Sequence, residues 1–90
     1  SKEPYSLLFT AGGSPGMEAL YRQLSGYYNL YFADMDPTRI SPIIPSCRRL
    51  EIPSAQSPAF ARAVIDHCRL YNITLLIPGV DEELGTLWSV

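Results

Sequence analysis

The chain has 90 residues, of which 47% are hydrophobic and 18% are charged, and its formal net charge is −2. This length allows one domain, and the composition is typical of a globular chain with a small core rather than of a disordered one. The sequence has neither a basic run nor an apolar run of the ~18 residues that cross a bilayer, so we expect a cytoplasmic protein with no nucleic-acid or membrane partner.

The first third of the chain predicts two strands separated by a helix. Residues 5–10 (YSLLFT) form a near-continuous apolar run, which is typical of a central strand covered on both faces. Ser14 followed by Pro15 predicts a capped helix over residues 15–24. The aromatic-rich residues 28–33 (YNLYFA) predict the second strand.

The rest of the chain predicts a loop, two further strands and two further helices. Three prolines exclude a regular helix from residues 37–46, so we expect a loop that packs through its isoleucines. Residues 50–52 (LEI) predict a short strand near a sheet edge. A second Ser-Pro pair opens a predicted helix over residues 57–72, residues 73–77 (ITLLI) predict a fourth strand, and Asp81 caps a predicted third helix.

This order of elements predicts an α/β fold, a Rossmann-like three-layer sandwich with a mainly parallel sheet of about four strands and three helices. The chain starts without Met and ends inside a predicted helix. We therefore expect a truncated domain, a piece of a longer protein. A truncated sheet exposes an apolar edge, which predicts marginal stability or self-association as a homodimer.

Three polar features follow the predicted strands. In an open parallel sheet, the segments after the strands meet at the carboxyl edge, where such folds bind ligands. A glycine loop before a helix suits an anionic ligand, and carboxylates suit an amine or a metal-bridged group. A tight turn and ordinary helix capping are the alternative roles. The candidate residues are Gly12, Gly13 and Gly16 after the first strand, Asp34 and Asp36 after the second, and Asp81, Glu82 and Glu83 after the fourth.

The glycine loop also matches part of the dinucleotide fingerprint G-x-G-x-x-G. Ala11 stands where the first glycine is expected, and Asp34 or Asp36 follows at about the ~20 residues typical of a ribose-binding acid. An NAD(P)-binding domain of an oxidoreductase is therefore an alternative, and a non-enzymatic interaction module is another. No catalytic set is evident, because His67 is expected to be exposed and the two cysteines form no zinc or redox motif.

Taken in order, five segments of this sequence resemble the N-terminal domain of ATP-grasp ligases. They are TAGGSPGMEAL, ADMDP, LEIP, SPAF and LLIPGVDEEL, and the most specific part is IPGVDEEL combined with the glycine loop at this separation. Within that superfamily, the chain is most similar to the carbamoyl-phosphate synthase large-chain group. The resemblance extends over nearly the whole chain, from Leu7 to Trp88.

The resemblance implies a Rossmann-like domain that precedes the ATP-binding fold of the same protein and supplies part of a small-molecule substrate pocket. In such enzymes ATP converts a carboxylate into an acyl phosphate, which an amine then attacks, with Mg²⁺ on the phosphates. The ATP and metal ligands of the family belong to later domains, so the resemblance implies no cofactor and no catalysis for this domain alone. By position, the residues that would line the substrate pocket are Gly12, Gly13, Gly16, Asp36, Asp81, Glu82 and Glu83.

Overall fold

A computed structural model of the chain describes residues 4–79. Within these residues the elements are β1 (Ser6–Phe9), α1 (Met17–Leu24), β2 (Asn29–Asp34), β3 (Arg49–Glu51), α2 (Phe60–Leu70) and β4 (Leu75–Ile77). Two short 3-10 turns, Pro37–Arg39 and Ser46–Arg48, lie between β2 and β3. The predicted third helix lies outside the described residues. Neither of the two α-helices found here is long and apolar enough to cross a bilayer.

The four strands form one parallel sheet in the order β3-β2-β1-β4. Leu7 of β1 lies opposite Leu30 of β2 on one side and Leu75 of β4 on the other. The predictions of an α/β fold, a parallel sheet, a central first strand and an edge position for the third strand are confirmed. The same order occurs in one half of a doubly wound Rossmann sheet, where consecutive strands run outward and then return across the first strand.

Apolar side chains cover both faces of the sheet. On one face, α1 packs against a core of Leu7, Phe9, Leu30, Phe32, Ile40 and Ile44. On the other face, α2 contributes to a core of Leu8, Ala33, Leu50, Ile52, Phe60 and Val64. Alternate residues of β1 and β2 serve opposite cores, which explains why their sequences are continuous apolar runs instead of alternating ones.

The proline-rich segment after β2 is a packed loop, as predicted. Ile40 and Ile44 are buried beneath it, whereas Ile43 is 37% exposed. The Ser41 hydroxyl donates a 2.6 Å hydrogen bond to the carboxylate of Glu18, so the loop is also joined to α1 through polar side chains. The loop takes the place at which a second helix would cover this face of the sheet.

Both helices begin later than the sequence predicts, and the assignment of Ser14 and of Ser57 as helix N-caps is wrong. The Ser14 carbonyl accepts a 3.4 Å hydrogen bond from the N–H of Met17, and the Ser57 carbonyl accepts a 3.1 Å bond from the N–H of Phe60. Each Ser-Pro pair therefore opens a four-residue turn with proline in its second position. The residues at the N-cap positions are Gly16, with φ of 93°, and Ala59.

At its carboxyl end α2 stops in a Schellman motif, with Tyr71 at the C-cap position. Asn72 has a left-handed φ of 53°, and the next amide, of Ile73, donates a 2.9 Å bond back to the carbonyl of Cys68. Asparagine tolerates this backbone conformation better than other non-glycine residues. The chain thus leaves the helix at residue 72, and β4 begins two residues later than the predicted strand.

The motif predicts a loss of stability for one substitution at residue 72 and little change for another. Asn72→Ala places a Cβ-bearing residue without a polar side chain in the left-handed region, and we expect it to lower the free energy of unfolding by about 1 kcal/mol. Asn72→Gly is the matched control and should change it by less than about 0.5 kcal/mol. Urea unfolding followed by circular dichroism measures both, and an equal loss in the two variants would show that the φ angle is not what matters.

Candidate functional site

A cleft of about 260 Å³ opens at the carboxyl ends of β1, β2 and β3. We call it the edge cleft, and it is lined by Ala11, Ser14, Asp34, Met35, Arg39, Ile52, Pro53, Ser54, Ala55 and Gln56. One wall is the loop after β1, the floor is the end of β2, and the opposite wall is the segment after β3. Ligands of open parallel sheets bind at this edge because the loops that follow the strands converge there.

The Asp34 carboxylate joins the glycine loop to the end of β2. Its Oδ2 accepts a 2.8 Å hydrogen bond from the N–H of Gly13, and its Oδ1 accepts a 3.0 Å bond from the N–H of Asp36. The side chain is among the most buried polar groups, with the residue 8% exposed. Two backbone donors therefore compensate the cost of burying this charge.

Gly12 and Gly13 are required by the close approach of this loop to β2. The N–H of Gly12 donates a 2.7 Å bond to the carbonyl of Ala33. A Cβ on Gly12 would lie 2.9 Å from the Cβ of Phe32, and a Cβ on Gly13 would lie 2.8 Å from the Cβ of Arg39 and 2.9 Å from Asp34 Oδ2. Both amides are thus occupied inside the protein, and the anion held by the Gly13 amide is the Asp34 side chain.

Gly16 and the side chain of Asp36 lie outside this network, to which Asp36 contributes only its backbone N–H. Gly16 is exposed at the N-cap of α1, and a Cβ built on it would meet no atom within 4 Å. Asp36 is exposed and caps the 3-10 turn Pro37–Arg39, where its Oδ1 accepts bonds from the Thr38 N–H at 3.1 Å and the Thr38 hydroxyl at 2.6 Å. The predicted carboxylates Asp81, Glu82 and Glu83 lie outside the described residues. The structure therefore brings the glycine loop into contact with Asp34. The position of the three carboxylates after β4 stays a prediction from the sequence.

The edge cleft also contains residues that the sequence patterns did not indicate. Arg39 stands at its rim, and the segment 52–56 forms a wall in which the Ser54 hydroxyl donates a 2.7 Å bond to the side-chain oxygen of Gln56. The position of Arg39 follows from the turn after β2, because that turn carries the chain back across the glycine loop. The proline-rich composition of residues 37–46 was the available signal for such a turn.

Arg48 and His67 make structural contacts away from the edge cleft. The guanidinium of Arg48 lies 4.6 Å above the ring of Tyr31, a cation–π geometry on the α2 face of the sheet. His67 is half-buried, and its Nε2 lies 2.9 Å from the carbonyl oxygen of Glu51. The expectation that His67 is simply exposed is therefore wrong, because its ring joins α2 to β3.

Neither cysteine forms a disulfide bond within the described residues. Cys47 is exposed, and Cys68 is half-buried and free, with burial raising the pKa of its thiol. Residues 4–79 contain no group of three His, Cys, Asp or Glu side chains placed to hold a metal ion.

Comparison with family models, with curated protein sequences and with solved structures finds no match for this chain. Its functional assignment therefore depends on the residues and geometry described above.

The Asp34 network predicts a large effect for a conservative substitution. Asp34→Asn keeps the shape of the side chain but turns one oxygen acceptor into an NH₂ donor that faces a backbone N–H. We expect the free energy of unfolding to fall by about 1.5–3 kcal/mol, the range for buried hydrogen bonds to a charged group. Asp66→Asn is the control, since within residues 4–79 Asp66 makes only an exposed pair with Arg62, and the loss of that pair should cost less than about 0.5 kcal/mol. Equal urea midpoints for the two variants would contradict this role of Asp34.

Two exposed carboxylates predict how stability depends on pH. The Thr38 hydroxyl lowers the pKa of Asp36, and the Ser41 hydroxyl lowers the pKa of Glu18. Their contribution is fully present above the ordinary carboxyl pKa values, 3.8 for Asp and 4.5 for Glu, and is lost as the pH falls through the lowered folded-state values. The urea midpoint should therefore decrease as the pH is lowered below about 5.

Thr38→Val and Ser41→Ala test this dependence without removing either carboxylate. The double variant should lose less of its stability than the parent chain between about pH 5 and pH 3, because the hydroxyl donors that favour the charged forms are gone. An unchanged pH profile would mean that these two hydrogen bonds do not contribute.

Proposed function

We propose that this chain is the N-terminal, substrate-side domain of an ATP-grasp ligase of the carbamoyl-phosphate synthase large-chain type, without catalysis of its own. The observation that carries the proposal is the edge cleft, which lies at the carboxyl ends of a sheet with Rossmann strand order. The segments TAGGSPG, ADMDP and LEIP, which carry the resemblance, contribute six of the ten residues that line that cleft. A domain that supplies part of a substrate pocket needs residues of its motifs to line a cavity, as these do.

In the proposed enzyme, the described residues bind and position a substrate while a later domain of the same protein supplies ATP and Mg²⁺. A substrate carboxylate oxygen attacks the terminal phosphorus of ATP, and ADP leaves. An amine then attacks the carbonyl carbon of the acyl phosphate, and inorganic phosphate leaves. Ala11 and Ser14 are the residues of the glycine loop that line the cleft. Asp81, Glu82 and Glu83 remain proposed pocket residues after β4.

The NAD(P)-binding alternative is less well supported by the geometry. Dinucleotide domains use the amides of the glycine loop to approach the pyrophosphate and an acid after the second strand to hold the ribose. Here the Gly12 and Gly13 amides donate to Ala33 and Asp34, so neither amide points toward a ligand. A pyrophosphate at this loop would have to displace a buried carboxylate.

One observation, an exposed apolar groove, favours the alternative of a non-enzymatic interaction module. At the amino ends of β1 and β4, an apolar groove of about 530 Å³ is lined by Tyr5, Leu7, Leu24, Tyr28, Thr74 and Leu75. Tyr5 and Leu75 are 64% and 54% exposed there. Such a surface suits contact with another protein part, which the proposed ATP-grasp domain or a second copy of the chain would provide.

Isothermal titration calorimetry distinguishes the two enzymatic proposals. We expect the 90-residue chain to show no heat of binding with ATP–Mg²⁺ or with NAD⁺ at about millimolar ligand, because its loop amides are already occupied. The product of the complete reading frame, as the positive control, should bind ATP and release phosphate in the presence of a carboxylate and an amine. Micromolar binding of NAD⁺ to the chain would overturn the ligase proposal in favour of the oxidoreductase.

A further inference from the structure

The edge cleft carries two side-chain charges of opposite sign. Among its lining residues, the ionised groups are the carboxylate of Asp34 and the guanidinium of Arg39. Both residues approach the same point, since Arg39 Cβ and Asp34 Oδ2 lie 2.8 Å and 2.9 Å from the position of a Cβ on Gly13. The Cβ of Arg39 and the carboxylate of Asp34 are therefore at most about 6 Å apart, and both residues line the cleft.

Arg39 has unused binding capacity within the described part of the chain. Its guanidinium forms no hydrogen bond and no ion pair with another residue of the range 4–79, although its charge contributes to lowering the pKa of the neighbouring Asp36. A guanidinium offers five N–H donors in a planar fork that matches a carboxylate. Arg39 is exposed at the rim, so a ligand reaches it without any rearrangement of the core.

Asp34 keeps some acceptor capacity despite its burial. Each of its oxygens accepts one backbone N–H, from Gly13 and from Asp36, whereas a carboxylate offers about four acceptor sites. The residue is 8% exposed, and it is one of those that line the cleft. An ammonium group approaching the carboxylate would complete its hydrogen bonding.

The pair of charges selects among classes of ligand. A ligand that is only anionic would bind Arg39 but meet the Asp34 carboxylate, and a ligand that is only cationic would bind Asp34 but meet Arg39. A zwitterion with its two charges a few ångströms apart satisfies both groups. The volume of about 260 Å³ admits a small molecule, and Met35, Ile52 and Pro53 offer apolar contact to a short side chain.

We propose that the edge cleft binds a small zwitterionic α-amino acid, with the ligand carboxylate on Arg39 and its ammonium on Asp34. This inference rests on the proposed ligase function and names the substrate class of that site. The amino acid would be one of the two molecules that the ligase joins. Ser14 also lines the cleft, whereas the hydroxyl of Ser54 on the opposite wall is bound to Gln56.

Titration followed by ¹H–¹⁵N NMR tests the proposal with defined probes. Glycine, L-alanine and L-valine should shift the amide signals of Ser14 and of residues 54–56. N-acetyl-L-alanine lacks the ammonium and L-alaninamide lacks the carboxylate, so each should bind at least about tenfold more weakly than L-alanine. Removing charges from the ligand leaves the protein intact, which matters because a substitution of Asp34 is also expected to lower the stability of the fold.

The protein side is tested by Arg39→Gln, with Arg62→Gln on the exposed side of α2 as the matched control. Arg39→Gln should weaken L-alanine binding at least about tenfold, and Arg62→Gln should leave it unchanged. No signal shift with any of the three amino acids, equal binding of the two derivatives, or full binding by Arg39→Gln would each overturn the inference. The ligase proposal is tested separately, by ATP-dependent phosphate release from the full-length product. If that release required a substrate other than an amino acid, the ligase proposal would hold and the amino-acid inference would fail.

Discussion

The hydrogen bonds that the Asp34 carboxylate accepts from the amides of Gly13 and Asp36 are the interaction on which the site depends. They hold the loop after β1 against the end of β2 and set the start of the turn that carries Arg39 back across that loop. Because Asp34 is buried, the loop cannot move away without leaving a charge unpaired in the interior. The shape of the edge cleft follows from this one side chain.

The same interaction changes the meaning of the glycine-rich segment. After a strand and before a helix, two adjacent glycines are typical of a loop whose amides bind an external anion. In this protein, the anion at the Gly13 amide comes from the protein itself, and the absence of a Cβ at Gly12 and Gly13 serves the close packing against β2. The cleft is consequently formed by the outer side of the loop, at Ala11 and Ser14, and by residues that come later in the chain.

Much of the fold could be predicted because it depends on patterns that are local in the sequence. The apolar runs of β1 and β2 reflect burial on both faces, and the prolines of residues 37–46 exclude a helix wherever the segment lies. The helix starts were misplaced because Ser-Pro is compatible with both an N-cap and a four-residue turn. At Ser14 and Ser57 the turn is formed, which moves the first helical residue to Met17 and to Phe60.

The site was less predictable, because it depends on contacts between segments far apart in the chain. Asp34 was a candidate for a ribose-binding acid on spacing alone, and no spacing rule reveals that one of its oxygens accepts a backbone N–H from a loop 21 residues earlier. Arg39 and the wall formed by residues 52–56 join the cleft only through the packing of the turn after β2 and of the segment after β3. Side-chain placement of this kind follows from tertiary structure and not from local periodicity.

The central claim is that the Gly13 amide is bound to Asp34 and is therefore closed to external anions. The most direct measurement is a titration of ¹⁵N-labelled protein with inorganic pyrophosphate, in which the amide signal and the hydrogen-exchange rate of Gly13 are followed. The account predicts a slowly exchanging amide whose signal does not move with pyrophosphate. A rapidly exchanging Gly13 amide whose signal shifts in a saturable way with pyrophosphate would contradict it.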